Sequence, residues 1–486
     1  HALLRDGLER FFGPSRNHRT DWQKVSAFVS VKHRLAVISG GPGTGKTTVV
    51  ARILALIQEQ RRDGPDQVAL AAPTGKAASR LQEAVREAMT SVRKETRLKE
   101  VFLPEAATIH RLLGVIPGSP YFRHNAENPL NVHAVVVDEA SMVDLALLSK
   151  LVQAVPSHAR LILLGDKDQL ASVESGAVLG DICEGGRLYG FSEGFVRGYE
   201  TVTHEPLDRD PARPGGPPLR DCIVQLRENF RFGPASGIRT LSREVNEGKG
   251  DAAAALLSEC CYSDIGWQDI PEVGCLTARL KQPVLNGYSP YLRSRSPSEA
   301  FDRFERFRLL CALKAGPYGA QALNLTVERI LAGSRLIEPS GRWYPGRPVM
   351  VTRNDYNLGL FNGDIGIVLP DPDAGDNVRV FFRDPRGVFR RLAPGRLPEH
   401  ETVYAMTVHK SQGSEFDEAL LLLPDALSQV LTRELIYTGI TRARRKVEIW
   451  GRRNVFVEAV GKSIRRSSGL RDALWGEAGL RDTGSR

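Results

Sequence analysis

SGGPGTGKTTVVARILALI, residues 39–57, follows the apolar run LAVIS (35–39) and continues into the pattern of an apolar helix. Gly40 to Thr47 fits G-x-x-x-x-G-K-[ST], and a strand before with a helix after is the context that pattern requires. Gly40, Gly41, Gly43 and Gly45, with Pro42 and Thr44 between them, let backbone N–H groups turn inward around phosphate oxygens. The helix opening at this loop presents its positive end to the same anion. Lys46 is placed to reach the β- and γ-phosphates of ATP and Thr47 to hold Mg²⁺, with Thr48 completing the nucleotide-binding run.

Working outward, VALAAP (68–73), AVVVDEA (134–140) and RLILLGD (160–166) are further short apolar runs ending in proline or acid. Their alternation with helical patterns predicts an α/β fold with a parallel sheet, whose ligands bind at the carboxyl ends of the strands. Asp138, at one such end, can ligate Mg²⁺, and Glu139 beside it can polarise an attacking water as general base. An acidic strand end in solvent is the bland alternative. Gln169 carries both a donor and an acceptor, so it could touch the γ-phosphate and the attacking water, or be an ordinary turn residue. Gln23 also has two readings. Thr20-Asp21-Trp22-Gln23 has the spacing of a capping box, and the same amide could instead bond an adenine ring.

Length and composition bound the rest. The 486 residues predict two to four domains at roughly 100–200 residues each. Hydrophobic residues at 42% and charged residues at 25% exclude wholesale disorder and a coiled-coil rod. Lys and Arg number 66 against 57 Asp and Glu, a net charge of +9 that permits a polyanionic partner without proving one. No apolar run approaches the roughly 18 residues of a membrane span, so no membrane association is expected. Cys183, Cys222, Cys260, Cys261, Cys275 and Cys311 lack zinc spacing, and the opening HALLRDGLERFF is too charged for a signal peptide. A cytoplasmic protein with reduced thiols is expected.

The organisation reads as follows. Residues 1–20 are a remnant of an N-terminal region, and 21–190 form a first α/β domain. Residues 191–220, with Pro211, Pro214 and Pro217, read as a linker. Residues 221–341 and 404–475 form a second α/β domain, with strand candidates LLLL (420–423) and KVEIWG (446–451). Between 342 and 403, VMVTR, GDIGIVL, VRVFF and GVFRRLA are short strand-like runs separated by turn residues, which predicts a small inserted β-barrel. Residues 476–486 are a tail, and 114–131 are rich in turn residues.

GGPGTGKTT, APTGKAASRL (72–81), VVDEASMVD, GDKDQLASVESGAVLGD (165–181), LRENFRF (226–232), TVHKSQGSEFD (407–417) and YTGITRAR (437–444) resemble, in order, the motifs of superfamily 1 DNA helicases. WQKV (22–25), ATIHRLLG (107–114), LLCALKAGPYG (309–319), GRPVMVTRNDYNLGLFNGDIGI (346–367) and RLPEHET (396–402) narrow the resemblance to the RecD family, alpha subunits of the RecBCD exonuclease V complex. The resemblance implies two RecA-like P-loop NTPase domains with an SH3-like barrel inserted in the second. It implies an ATP- and Mg²⁺-dependent DNA helicase moving 5′→3′ on single-stranded DNA, working with RecB-like and RecC-like subunits in double-strand break repair by recombination. An N-terminal domain binding the RecC partner is also implied, and the residues before 20 are too few to form it. No separate nuclease constellation is present, so that chemistry is expected on the RecB-like partner.

The same resemblance assigns residues. Gln23 is similar to an adenine-contacting glutamine. Arg231 and Arg442 resemble the two arginines that second helicase domains point at the γ-phosphate, where a planar guanidinium bridges two oxygens. Pro73, Thr74, Thr108 and His110 match segments beneath single-stranded DNA on the first domain, and Thr407, His409, Ser411 and Gln412 match those on the second. His110 and His409 could equally be core histidines. Asn362-Gly363 could approach DNA or simply form a type I′ turn. Residues 114–131 resemble the hairpin that splits the duplex. A stand-alone RecD-like helicase, a switch that binds ATP without translocating, and a subunit with a vestigial site are the rivals.

Overall fold

The structure, a computed structural model, describes every residue except 1, 15–18, 61–66, 97–104, 172–176, 209–215, 260, 356, 376, 385–386, 465–468 and 477–486. Two of the expected linker's five prolines, Pro211 and Pro214, and nearly all of the expected tail lie outside the described residues. The chain divides into two units, His1–Arg231 with Arg465–Arg486, and Phe232–Ile464.

The first unit is built on β1 (Leu35–Ser39), β2 (Val68–Ala72), β3 (Ala107–Thr108), β4 (Ala134–Val137), β5 (Arg160–Gly165) and β6 (Ile223–Gln225). They form one parallel sheet in the order β3-β2-β4-β5-β1-β6. Successive side chains on a strand point to opposite faces, and the core divides accordingly. Ile38, Val136, Ile162 and Leu164 join one hydrophobic layer, while Val37, Val135, Val137, Leu161 and Leu163 join the other. Both faces are therefore apolar, as a helix-covered parallel sheet requires. α1 (Ala2–Phe12), α2 (Trp22–Lys32), α3 (Lys46–Glu59) and α4 (Gly75–Thr96) serve the first layer. α5 (Ile109–Leu113), α6 (Leu145–Ala154) and α7 (Val178–Tyr189) serve the second.

Three expected boundaries move. The expected linker contains α8 (Glu193–Thr203), whose Phe195, Val196, Tyr199 and Val202 are core residues beside α1 and α2. Residues 223–225, expected to open the second domain, pair with β1 instead. Three residues carry too little periodicity to reveal which sheet they join. The first unit thus runs to Arg231. Past the second unit, α16 (Leu470–Trp475) returns to the first, where the Trp475 indole N–H donates to the Asp181 carbonyl at 2.8 Å.

The second unit has β7 (Ile265–Asp269), β8 (Phe307–Cys311), β14 (Ala405–Thr407), β15 (Phe416–Leu422) and β16 (Ala443–Gly451), parallel in the order β14-β8-β15-β16-β7. Around it lie α9 (Gly237–Asn246), α10 (Gly250–Ser258), α11 (Val273–Leu292), α12 (Pro297–Phe304), α13 (Ala320–Gly333), α14 (Arg433–Ile440) and α15 (Arg453–Gly461). Between α13 and β14 stands the insert, an antiparallel sheet of β9 (Pro348–Val351), β10 (Ile365–Pro370), β11 (Val378–Arg383), β12 (Phe389–Leu392) and β13 (His400–Thr402) in the order β12-β11-β10-β9-β13. Val349, Val351, Val368, Val380, Phe382 and Leu392 close its own small core.

Gly287 lies inside α11, where a Cβ would sit 2.1 Å from Cδ1 of the buried Phe307. Helix propensity alone favours alanine by about 1 kcal/mol, but the clash dominates. Gly287→Ala is expected to destabilise the second unit by roughly 1–3 kcal/mol, read as a lower urea midpoint.

Candidate nucleotide site and nucleic-acid face

The sheet order β4-β5-β1 sets the carboxyl ends of three strands side by side. After β1, the loop turns through Gly43 (φ 83°) and Gly45 (φ 79°), left-handed positions that favour glycine. Thr44 Oγ1 donates to Gly41 O at 2.8 Å, and the Lys46 ammonium to Gly40 O at 2.6 Å and Gly41 O at 3.2 Å. Lys46 is the first residue of α3, so the amine lies within the cradle at the helix N-terminus.

Gln23 does not form the capping box. Asp21 caps α2, accepting from the N–H groups of Gln23 and Lys24, while Thr20 Oγ1 accepts from Asp208 N at 2.7 Å. The Gln23 side chain instead reaches the phosphate loop, donating to Thr44 O at 3.1 Å. Being one residue nearer the cap than expected, Asp21 takes the donors that Thr20 would have served.

Arg231 also departs from expectation. The segment 229–231 belongs to the first unit and is bonded to the loop itself. Asn229 Nδ2 donates to Pro42 O at 2.8 Å, Phe230 N to Gly43 O at 2.8 Å, and Arg231 N to Asn229 Oδ1 at 3.0 Å. A Cβ on Gly43 would lie 2.4 Å from Arg231 Cβ. Arg231 therefore reaches the phosphate loop from the same unit, because β6 carries it there. Sequence reasoning missed Asn229 and Phe230. Phe230 is 65% exposed next to Gly45, an uncommon place for so large an apolar ring.

Asp138 follows β4, and its Oδ1 accepts from Glu139 N at 2.9 Å. Part of the residue still meets solvent, yet protein closes around the carboxyl. That desolvation, with the charge of Glu139, pushes its pKa up to about 6, and Lys46 and Arg80 pull it back only in part. Glu139 adopts φ 52°, a left-handed conformation costly for a side chain with a Cβ. Such strain marks a residue whose direction is fixed by its surroundings. Beyond β5, Gln169 is 6% exposed and donates to Asp166 Oδ2 at 3.1 Å. Asp166, unassigned from sequence, also accepts from Asp168 N at 3.1 Å, and Ser39 Oγ accepts from Lys167 N at 3.2 Å. These bonds tie the Gln169 turn to the end of β1. Among the described residues, no three His, Cys, Asp or Glu gather as a separate metal centre.

The expected DNA-contacting residues divide. Pro73 and Thr74 are half-buried at the end of β2, and Thr74 Oγ1 accepts from Ala77 N at 3.2 Å as α4 begins. Thr108 caps α5. His110 is exposed, edge-on to Phe122 at 5.7 Å, which excludes a core histidine. Residues 114–124 fold back through a Val115–Phe122 bridge and an Arg123 N to Gly114 O bond of 2.9 Å, leaving Tyr121 72% exposed. In the second unit, Thr407 ends β14 and is buried, while His409 and Gln412 are half-buried. Ser411 corrects its expectation. It is 0% exposed and donates to Val408 O at 2.7 Å, so it holds the turn from inside. Asn362 is exposed, but only its neighbour Gly363 has positive φ, so the turn is not type I′. Arg442, 2% exposed, donates from Nε to Thr438 O at 3.2 Å and from Nη1 to Ser414 O at 3.1 Å.

Asp138 yields a stability prediction. Its folded-state pKa lies above the ordinary 3.8, so folding loses stability as pH rises from about 4 to 6 and stays lower above that. Asp138→Asn removes this penalty. It is expected to stabilise the protein by roughly 1–2 kcal/mol at pH 7.5 while abolishing ATP turnover, with the advantage over wild type shrinking at pH 4.5. Urea titrations at the two pH values check the sign.

Comparison with known proteins gives the family. Residues 23–175 match the AAA domain family, and residues 402–449 match the UvrD-like helicase C-terminal domain. The chain is 41% identical to the RecBCD enzyme subunit RecD of Mycobacterium tuberculosis, covering 93% of this chain and 73% of that protein. It is 35% identical to the same subunit of Haemophilus influenzae, covering 95% and 73%. A solved structure of Bacteroides Pif1 bound to single-stranded DNA is 18% identical, with a TM-score of 0.46, over 88% of this chain and 91% of that one. With its phosphate loop, acidic strand end and relatives of this identity over nearly its whole length, the chain belongs to the RecD family of RecBCD enzyme subunits.

Proposed function

We propose that this chain is an ATP-dependent DNA helicase of the RecD type, a motor on single-stranded DNA that works beside RecB-like and RecC-like subunits in the repair of double-strand breaks. The observation that carries this is the phosphate loop with Lys46 at the start of α3, set by the sheet order near the acidic strand end Asp138–Glu139, in a chain of the RecD family. A carboxylate so placed, pressed by Glu139, suits a bound cation. Thr47 and Asp138 would hold Mg²⁺, which when bound neutralises phosphate charge.

The chain's own residues do the rest. The backbone from Gly40 to Thr48 cradles the phosphates, and Lys46 leaves its carbonyl partners to meet the β- and γ-oxygens. Glu139, its backbone strained into one direction, takes a proton from the attacking water. Gln169, anchored to Asp166, reports on the γ-phosphate. Gln23 offers its amide to adenine beside the loop, where the exposed Phe230 ring can stack on the base. Arg231 and Arg442 stabilise the charge that develops as the γ-phosphate leaves.

On the nucleic acid, Pro73, Thr74, Thr108, His110, Thr407, His409, Gln412 and Asn362 offer short polar groups suited to the phosphate backbone, which carries no base code. The loop 114–131 with Tyr121 at its surface is read as the element that parts the duplex, and the insert as an SH3-like barrel. Movement is 5′→3′, in the cytoplasm. No described helix is long and apolar enough to cross a membrane.

Lys46→Gln is expected to abolish DNA-stimulated ATP hydrolysis and unwinding while sparing the fold, with a small loss of thermal stability from removing the positive charge beside Asp138. The wild type should open 5′-tailed duplexes and leave 3′-tailed ones closed. Binding of ATP without strand displacement on either substrate would mark a switch rather than a motor. Affinity for single-stranded DNA should fall steeply with salt, by a log–log slope of about −0.7 for each phosphate neutralised, and ignore base sequence. A flat salt response in fluorescence anisotropy would contradict the backbone grip.

A further inference from the structure

β14 is an edge strand of the second sheet, and it leads directly from the insert into Thr407–Gln412. Edge strands leave a row of backbone donors and acceptors without a neighbouring strand. Here a side chain takes the neighbour's place. Asn324, on α13 and 9% exposed, accepts from Ala405 N at 2.9 Å through Oδ1 and donates to Ala405 O at 2.8 Å through Nδ2. That is the two-point pattern a paired strand would make. Its Nδ2 also donates to Ala320 O at 2.8 Å, one turn back on its own helix, which fixes the rotamer.

The residues before Ala405 are held in the same way. Arg308, 0% exposed, donates to Val403 O at 2.8 Å, and the Tyr288 hydroxyl donates to Tyr404 O. The Tyr291 hydroxyl donates to Gly346 O at 2.7 Å, so the chain entering the insert is tied to α11 beside the chain leaving it. A buried amide or guanidinium is costly unless its bonds are made. An apolar residue of like volume would fill the same space, so the polar choice here serves the path of the backbone.

We infer that Asn324 is the positioning residue for the nucleic-acid grip of the second unit: by pairing with Ala405 it sets where β14 delivers Thr407, His409 and Gln412. This rests on the proposed reading of Thr407–Gln412 as a DNA contact. The hydrogen bonds of the Asn324 side chain go to Ala405 and Ala320, so it acts on the strand and not on a proposed DNA-contacting side chain. Loss of the amide leaves the Ala405 N–H and C=O inside the protein without partners, and β14 shifts to find others.

The test compares full-length wild type, Asn324→Leu, Asn324→Asp and a packing control, Val327→Ala, whose side chain is fully buried on the same helix. The probe is an oligo-dT single strand followed by fluorescence anisotropy at fixed salt. Melting temperature, KM for Mg·ATP, and turnover with and without DNA are recorded alongside. Asn324→Leu is expected to weaken oligo-dT binding by about tenfold and to lose DNA stimulation in step, with DNA-free turnover and KM for ATP unchanged. Asn324→Asp, which keeps the acceptor for Ala405 N–H but sets a carboxylate oxygen against the Ala405 and Ala320 carbonyls, should also weaken binding. Val327→Ala should lower the melting temperature and leave the Kd for DNA unchanged.

If Asn324→Leu binds oligo-dT like the wild type, or Val327→Ala weakens binding as much, the inference is overturned. Should Asn324→Leu not fold, Asn324→Asp against Val327→Ala decides on the same criterion. Failure of the underlying reading looks different: the wild type itself would then neither bind oligo-dT nor accelerate hydrolysis on adding it.

Discussion

Protein closes around the carboxyl of Asp138 where β4 ends, and most of the first unit's chemistry follows from that enclosure. Val135 and Val137 face one apolar layer and Val136 the other, so the strand brings its terminal acid out between two hydrophobic walls. Charge in such a place is disfavoured, and the pKa of about 6 records the cost. The carboxylate can persist only beside positive charge. The strand order β4-β5-β1 supplies it by setting the Lys46 loop near, with only β5 between the two strands. Rearranging the sheet would separate the two and leave each without its complement. The same adjacency lets Lys167 N bond Ser39 Oγ, so the Gln169 turn is referred to the phosphate loop by a bond as well as by strand pairing.

The second unit works by other means. Its sheet ends at β14 without a further parallel strand among those described, and the segment to be positioned lies at that exposed edge. Side chains of helices supply the missing pairing: Asn324 from α13 and Tyr288 from α11, with Arg308 of β8. Enclosed within the core, these bonds compete with no water and gain strength from low polarity around them. The price is a set of polar groups that must all be satisfied together. The tyrosine hydroxyls show the effect of that environment. Burial raises the pKa of Tyr288 to about 12 and holds those of Tyr291 and Tyr404 well above the ordinary value, so all three remain donors at any physiological pH.

What could be read from the sequence depended on how local each signal was. The phosphate loop, β1, β2, β4 and β5 announced themselves because apolar runs end abruptly in glycine, proline or acid. Strands β9 to β12 of the insert did so through their turn residues. β3, β6, β13 and β14 are two or three residues long, below the length at which periodicity distinguishes a strand from a loop. Their identity is conferred by partners distant in sequence. The same limit hid Asp166, an unremarked acid until Gln169 folds onto it. It hid Asn324 as well, which in sequence is one of several polar residues on an amphipathic helix. Ser411 shows the converse. Its neighbours suggested a surface hydroxyl, and the tight turn at His409–Ser411 draws it wholly inside.

The placement of Arg231 changes how the two arginines must be understood. Because β6 pairs with β1, Arg231 is bonded into the phosphate loop's own unit through Asn229 and Phe230. It belongs to the same unit as that loop. Among the residues assigned to the γ-phosphate, Arg442 alone belongs to the second unit. Its guanidinium is buried and held by the carbonyls of Thr438 and Ser414, which fixes its orientation within that unit. Ser414 stands two residues past Gln412, in the same turn system as the residues assigned to DNA. The Ser414 N–H in turn donates to the Ser411 carbonyl, so the turn and the buried Arg442 guanidinium are held together within the second unit.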